Sequence, residues 1–401
     1  MSVTTDTIAI EHLLTHQVTE VISKEELRDR LMSGRVLRIK LGADPTSPDL
    51  HLGHAVVLRK LREFQDLGHT VILIIGDYTA LVGDPSGKSK TRPMLTQEEI
   101  DINAQTYLNQ VGKILDLSKT EIHRNSEWLG TITMAELIKL ASKFTVARLI
   151  ERDDFANRLN EGIDVSMHEL LYPMMQAYDS VMINADVEIG GTDQKFNNLA
   201  GRELQKKMNQ TPQNVMLCPI LVGLDGEKKM SKSLHNYIGI DEAPAEMYGK
   251  AMSIPDTAIE EYFALATNIT ADKISAIVSD MNNGSLNPRD AKMQLARDIV
   301  RQYHGDSAVG PAEERFISMF QKKEIPDDIL EISLDVPEML LIDILVAAEF
   351  AKSKSEARQL IEQGGVKVDN EVIEDVQKSI SLSSHPVLIQ KGKRFFVKVK
   401  K

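Results

Sequence analysis

The stretch RVLRIKLGADPTSPDLHLGHAVVLRKLREFQDLGHTVILIIGD, residues 35–77, decides how the chain is read. "RVLRIKLGADPT" alternates as a strand does and stops at Pro45. It gives way to "LHLGHAVVLRKLREFQDLG", where Val57, Leu61 and Phe64 recur at helical spacing and Gly68 supplies a stop. "TVILIIGD" then runs continuously apolar, the pattern of a strand buried on both faces of a parallel sheet. Strand, helix and strand with turn residues between them form a βαβ unit, so residues 1–240 read as a doubly wound α/β domain.

Outward from that unit, residues 8–32 read as one amphipathic helix ending at Gly34. The span 119–158 is helical in pattern and reads as an insertion between two halves of the sheet. "NVMLCPILVGLDG" is a further strand signal, and residues 241–321 show only helical periodicity. Residues 322–336, charged and proline-bearing, read as a linker. The remainder, 337–401, offers two short helices followed by "GGVKVDNEVI", a strand, an Asp-Asn turn and a strand, hence a small α+β domain.

A chain of 401 residues with 42% hydrophobic content exceeds what one core usually holds. Its one cysteine, Cys218, excludes an intramolecular disulfide, and "MSVTTDTIAIEHLL" lacks the basic and apolar regions of a signal peptide. No apolar run reaches membrane-spanning length, so no membrane partner and a cytoplasmic setting are expected. The net charge of -12 argues against nucleic acid at first sight. The mean hides an asymmetry: residues 337–401 carry 11 Lys/Arg against 9 Asp/Glu, and "KGKRFFVKVKK" closes the chain. A basic tail often serves only solubility. "RFFVKVK", however, reads as a strand with cations on one face, which suits an RNA-facing surface.

The motif His51-Leu-Gly-His54 falls where a strand feeds a helix, the place where an open α/β sheet binds ligands. Orphan N–H groups and the positive dipole end of the helix attract phosphate there. Imidazole N–H groups add donors for charge developing on a transferring phosphoryl group, and Gly53 leaves room for a flat base. Taken alone, two histidines in a turn are more often merely polar residues. Far downstream, however, "GEKKMSKS", Gly226–Ser233, places lysines at 228, 229 and 232 on a glycine-led loop. Flexible ammonium groups can follow a polyphosphate as it leaves. "GDPSGKS", Gly83–Ser89, imitates a P-loop, but only three residues separate its glycines where that motif needs four, and Pro93 follows.

The His51–His54 motif and Lys229-Met-Ser-Lys-Ser233 together resemble the signature of class I aminoacyl-tRNA synthetases. "LGADPTSPDLHLGH", "GDPSGKSKTR", "YPMMQAYDS" and "IGGTDQKFN" are similar, in order and spacing, to the tyrosine-site segments of bacterial tyrosyl-tRNA synthetases, in the branch with an intact KMSKS motif. The resemblance spans nearly the whole chain and implies a Rossmann-like fold that joins L-tyrosine to tRNA(Tyr) through an adenylate. It implies ATP as substrate with Mg2+ on its phosphates, no protein-held metal, and a homodimer formed through the insertion. By the same likeness His51 and His54 stabilise the α-phosphate with Thr46 beside them, and Lys229 and Lys232 grip pyrophosphate, with Lys88 and Arg92 assisting. Asp84, Tyr172, Gln176 and Gln194 correspond to residues around the substrate ammonium and carboxylate. Gly42, Asp44, Gly53, Gly190, Asp193, Met230 and Ser231 correspond to the nucleotide side. The final domain resembles a small RNA-binding module, with Lys352, Lys354 and Arg358 along one helical flank.

Asp179 corresponds to the carboxylate that accepts the substrate phenol's hydrogen bond. A buried carboxylate left without that partner costs far more than a lost methylene contact, which is how phenylalanine is refused. Where much of the family has a tyrosine as a second phenol contact, this chain has Lys40, and a glutamine common before "IGG" is Glu188. Lysine and glutamate replacing those two residues imply an ion pair near the tyrosine pocket, with Lys40 on the substrate side. Three other readings stand beside this one: a tryptophan-specific relative, a nucleotidyltransferase for a small cofactor precursor, and a non-catalytic RNA-binding protein.

Overall fold

The computed structural model describes residues 3–46, 49–84, 96–319, 329–383, 385–392 and 395–401. They divide into two compact units, 1–305 and 306–401.

The first unit is built on a six-stranded sheet of β1 (Glu20–Ile22), β2 (Arg38–Ala43), β3 (Thr70–Ile75), β4 (Thr120–Arg124), β5 (Val187–Gly191) and β6 (Asn214–Cys218). Their spatial order is β1-β6-β5-β2-β3-β4, and every pairing is parallel except that of β1 with β6. The sequence order therefore runs outward in opposite directions from β2 and β5, and the crevice beyond their carboxyl ends is the topological switch point. Val71, Leu73, Val187, Val215 and Met216 are fully buried, as strands covered on both faces require.

The quoted βαβ unit forms as read, with α3 (Leu52–Asp66) linking β2 to β3. Its helix buries Val56, Leu58, Leu61 and Phe64 and ends at Leu67, before Gly68 at φ 91°. Two elements differ from the sequence reading. Residues 8–32 form two helices, α1 (Thr7–Thr15) and α2 (Lys24–Met32), separated by β1. The break comes at Gln17 and Ser23, both in left-handed backbone, and β1 pairs with a strand remote in sequence. Likewise β4 lies within the span read as helical. Its residues "TEIHR" are polar because it is an edge strand with its side chains only partly covered.

The other helices of this unit are α4 (Gln97–Val111), α5 (Ser126–Leu129), α6 (Met134–Ala141), α7 (Val146–Ile150), α8 (Asp153–Asn160), α9 (Tyr172–Met182), α10 (Lys195–Lys207), α11 (Pro244–Met252), α12 (Ile259–Ala266), α13 (Ala271–Asn282) and α14 (Pro288–His304).

The second unit contains α15 (Val309–Ile317), α16 (Leu341–Ala347) and α17 (Lys354–Glu362). Strand β7 (Leu330–Ser333) arises from the stretch read as linker and pairs in parallel with β13 (Phe395–Lys400). A two-stranded sheet joins β8 (Glu338–Leu340) to β11 (Ser379–Ser381). The hairpin of β9 (Val366–Val368) and β10 (Glu371–Val372) turns at Asp369 and Asn370, whose positive φ values are those of a tight hairpin. Between β9 and β13 lies β12 (Val387–Lys391). Val397 and Val399 are buried, so Lys398 and Lys400 take the opposite face of β13.

Candidate functional site

A cavity of about 360 Å³ opens at the switch point. The ends of β2 and β5 form its floor through Gly42, Ala43, Asp44, Ile189 and Gly190, and Thr46 follows on the same rim.

One end is polar and closed. Asp179, on α9, is 3% exposed, accepts the indole N–H of Trp128 at 2.8 Å and the Asn125 amide at 3.4 Å. Burial pushes its carboxyl up to about 7 against the pull of Lys40, Trp128 and Asn125. Behind it lies a fully buried ion pair, with Lys40 0% and Glu188 1% exposed. The Lys40 ammonium donates to Glu188 Oε1 at 2.8 Å, Ser180 Oγ at 2.7 Å and the Gln176 carbonyl at 3.0 Å. Those three bonds use all its donors. Glu188 in turn accepts from the Gln176 amide at 3.1 Å, from Ser180 at 3.2 Å and from Gln213. Lys40 is therefore not on the cavity wall, while Gln176 and Glu188 are. The ion pair forms as read, but its lysine faces the protein and not the substrate.

Towards the middle, the Tyr172 hydroxyl donates to Asp44 Oδ2 at 2.8 Å, and Thr79 donates to Oδ1 at 2.7 Å. Burial raises the Asp44 carboxyl to about 7, with Asp84 and Asp179 adding repulsion against these hydroxyl bonds. Gly76 permits the approach, since a Cβ there would lie 2.0 Å from Asp44 Oδ1. Asp84 accepts from Gln194 at 2.7 Å and pairs with Arg152 at 3.3 Å. Three carboxylates facing one space suit a cationic ligand group.

The other end carries the two distant motifs. His51 and His54 lie with ring centroids 3.8 Å apart at the start of α3. The His51 N–H donates to His54 Nδ1 at 3.3 Å, while its own Nδ1 is buried with no hydrogen-bond partner among the described residues. Gly53 lines the cavity, and a Cβ there would also come within 3.1 Å of the His51 ring. The link to the lysine loop is backbone. Leu52 N–H donates to the Ile238 carbonyl at 3.0 Å, and Ile240 N–H donates to that of Leu50 at 3.0 Å. These bonds tie the histidine turn to the segment that follows Lys229–Ser233.

The lysine loop is a hairpin closed by Met230 N–H to Leu221 O at 2.9 Å and turning at Gly226, φ 72°. Asn236 staples it, accepting from Ser231 N–H at 2.8 Å and donating to Asp225 at 2.8 Å. Lys229, Met230, Ser231 and Asp193 line the cavity, with Lys229 3.1 Å from Asp193. Lys232 is not on the cavity wall, yet its ammonium acts on the histidines. His54 is accessible from the cavity, but the surrounding protein, and then Lys232 and Lys229, hold its imidazole down at about 4. His51 is depressed further, by burial first and then by His54 and the same lysines. Burial also lowers the Lys232 ammonium to about 8. Both imidazoles are thus neutral and ready to receive an anion's field.

Lys88 and Arg92 lie outside the described residues. Lys352, Lys354 and Arg358 are exposed in the second unit, where Lys354 pairs with Asp343 at 2.7 Å. Sequence reasoning missed Trp128, Asn125, Thr79 and Arg152. The chain's one tryptophan was the available signal for the first.

A family profile described as "tRNA synthetases class I (W and Y)" matches residues 32–321, and one described as "S4 domain" matches 339–383. A class I aminoacyl-tRNA synthetase core followed by an S4 domain is thus the architecture of the chain. Among curated relatives, the "Tyrosine--tRNA ligase" of Thermotoga maritima is 54% identical over 96% of each chain. That of Shewanella oneidensis is 52% identical over 95% of each. A solved tyrosyl-tRNA synthetase of Archaeoglobus fulgidus in complex with L-tyrosine superposes with a TM-score of 0.63 at 25% identity, covering 77% of this chain and 99% of that one. The chain belongs to the bacterial tyrosyl-tRNA synthetase family.

Proposed function

We propose that the cavity activates L-tyrosine with ATP and passes it to the 3′ end of tRNA(Tyr). The observation that carries this reading is the buried, doubly donated Asp179 at one end of a cavity whose other end gathers His51, His54 and Lys229. The substrate phenol donates to Asp179, and its ammonium lies among Asp84, Tyr172, Gln176 and Gln194. ATP occupies the side formed by Gly42, Asp44, Thr46, Gly53, Gly190, Asp193, Met230 and Ser231. The tyrosine carboxylate attacks the α-phosphorus, the bond to the β-phosphate oxygen breaks, and pyrophosphate leaves. His51 and His54 stabilise the charge on the α-phosphate, while Lys229 and Lys232 follow the pyrophosphate. No side chain acts as nucleophile. Imidazole and ammonium donors suit phosphate oxygens better than a bare cation, so Mg2+ enters on the ATP phosphates as part of the substrate.

The remaining calls rest on the same likeness. Residues 1–240 form the catalytic domain with its insertion at 119–158, 241–321 a helical domain facing the tRNA, 322–336 a connection whose Leu330–Ser333 joins the last sheet, and 337–401 the RNA-binding domain through Lys352, Lys354 and Arg358. A homodimer through the insertion is supported by its apolar surface, since Met134, Ile138 and Val146 are 72%, 62% and 63% exposed. No helix among the described residues is long and apolar enough to cross a membrane, and a cytoplasmic setting fits the single buried cysteine. Exchange of labelled pyrophosphate into ATP with each of the twenty amino acids tests the reading. Tyrosine alone is expected to support exchange; tryptophan-dependent exchange, or none, would overturn it.

A further inference from the structure

A second group of histidines lies outside the cavity. His12, in the last turn of α1, and His16, its C-cap, are four residues apart with rings stacked at 4.4 Å and 17°. That is the i, i+4 spacing by which a helix presents two imidazoles to one ion. Glu63 reaches towards them from α3, its Oε1 3.1 Å from His16 Nδ1. One ligand atom from each of the three residues falls within 4.8 Å of the others, the only such set of His, Cys, Asp and Glu among the described residues.

The surroundings support ligation as well as placement. The second oxygen of Glu63 accepts from the Lys60 ammonium at 2.6 Å, and Lys60 also donates to the Leu13 carbonyl at 3.1 Å. The carboxylate is thereby oriented by an outer partner that is itself pinned to α1, as metal-ligating carboxylates commonly are. Lys60, and Arg59, whose guanidinium also feels Glu63, are cations beside the group and work against binding, which limits affinity.

From this geometry we infer that His12, His16 and Glu63 form a site for a divalent ion of the zinc class, which clamps α1 to α3. Two imidazoles and one carboxylate with an open fourth position suit Zn2+, Co2+ or Ni2+ rather than Mg2+ or Ca2+. None of the three residues lines the cavity, so the site is separate from the proposed chemistry and does not rest on it. Its mechanical link to that chemistry is α3, whose first turn holds His51 and His54.

Titrating the full chain, freed of metal, with zinc sulfate in a calorimeter tests the inference. One ion per chain is expected, with a micromolar dissociation constant and a raised thermal midpoint. His12 is exposed, so His12→Ala leaves folding intact and is expected to weaken binding about tenfold or more and to remove the thermal shift. His16→Gln does the same, and Co2+ bound to the unaltered chain gives the visible absorption of a four-coordinate site. Absence of saturable binding, or binding unchanged by both substitutions, overturns the proposal.

Discussion

At the Asp179 end of the cavity the charged groups Asp179, Lys40 and Glu188 are already hydrogen-bonded within the protein, whereas at the His51 end the buried Nδ1 of His51 has no hydrogen-bond partner among the described residues. Lys40 uses every donor on Glu188, Ser180 and Gln176, so that end is rigid before substrate arrives. The other end instead holds neutral imidazoles at the start of α3, beside ammonium groups on a hairpin closed by backbone bonds and by Asn236. In the proposed reading this fixed set selects tyrosine, because a ligand without a phenol leaves the remaining acceptor capacity of Asp179 without its donor. Neutral imidazoles beside ammonium groups are placed to respond when charge appears on a bound phosphate, which is what the proposed transition-state stabilisation needs.

The largest expected effect tests the satisfied end. Asp179→Ala should abolish tyrosine activation by several orders of magnitude while ATP binding, followed by equilibrium dialysis, persists. Unchanged tyrosine-dependent exchange would remove Asp179 from the phenol's path. Next comes Lys40→Met, which leaves Glu188 charged and buried; such a loss costs about 3–5 kcal/mol. Denaturant unfolding should show it, and adding Glu188→Gln should recover part of the loss. A cost under about 1 kcal/mol would mean that the pair does not organise this end.

The smallest effect runs the other way. Asp44 has its carboxyl raised from 3.8 to about 7, so the folded chain retains a proton that the unfolded chain has released. That contribution to stability is full below about 4 and is lost as pH rises to 7. Asp44→Asn should therefore raise the thermal midpoint by a few degrees at pH 8 and much less at pH 4, while slowing catalysis. Equal shifts at both pH values would show that burial of the charge is not the cause.

Much of the sheet was legible because its central strands are continuously apolar and the helix α3 between β2 and β3 keeps strict spacing, as residues 70–75 and 52–66 illustrate. Edge strands were not. "EVI" at β1 is short, and "TEIHR" at β4 is polar, since each is fixed by a neighbour remote in sequence. Within the cavity, His51 and Lys229 stood out only as a pair of distant motifs, and Asp179 only through the family likeness. Trp128 and Asn125 did not, because their importance comes from where β4 and α5 deliver them. The union of the two phosphate motifs was inferred from order alone; the bonds between Leu50–Leu52 and Ile238–Ile240 show how the backbone achieves it.

Single-turnover formation of the adenylate by His54→Ala tests most directly whether the imidazoles act on the transferring phosphate. The account predicts a rate lower by about 10²–10³, the usual effect of losing one such donor, with tyrosine affinity, ATP affinity and thermal midpoint nearly unchanged. An unaltered rate, accompanied by weakened tyrosine binding or early unfolding, would contradict it.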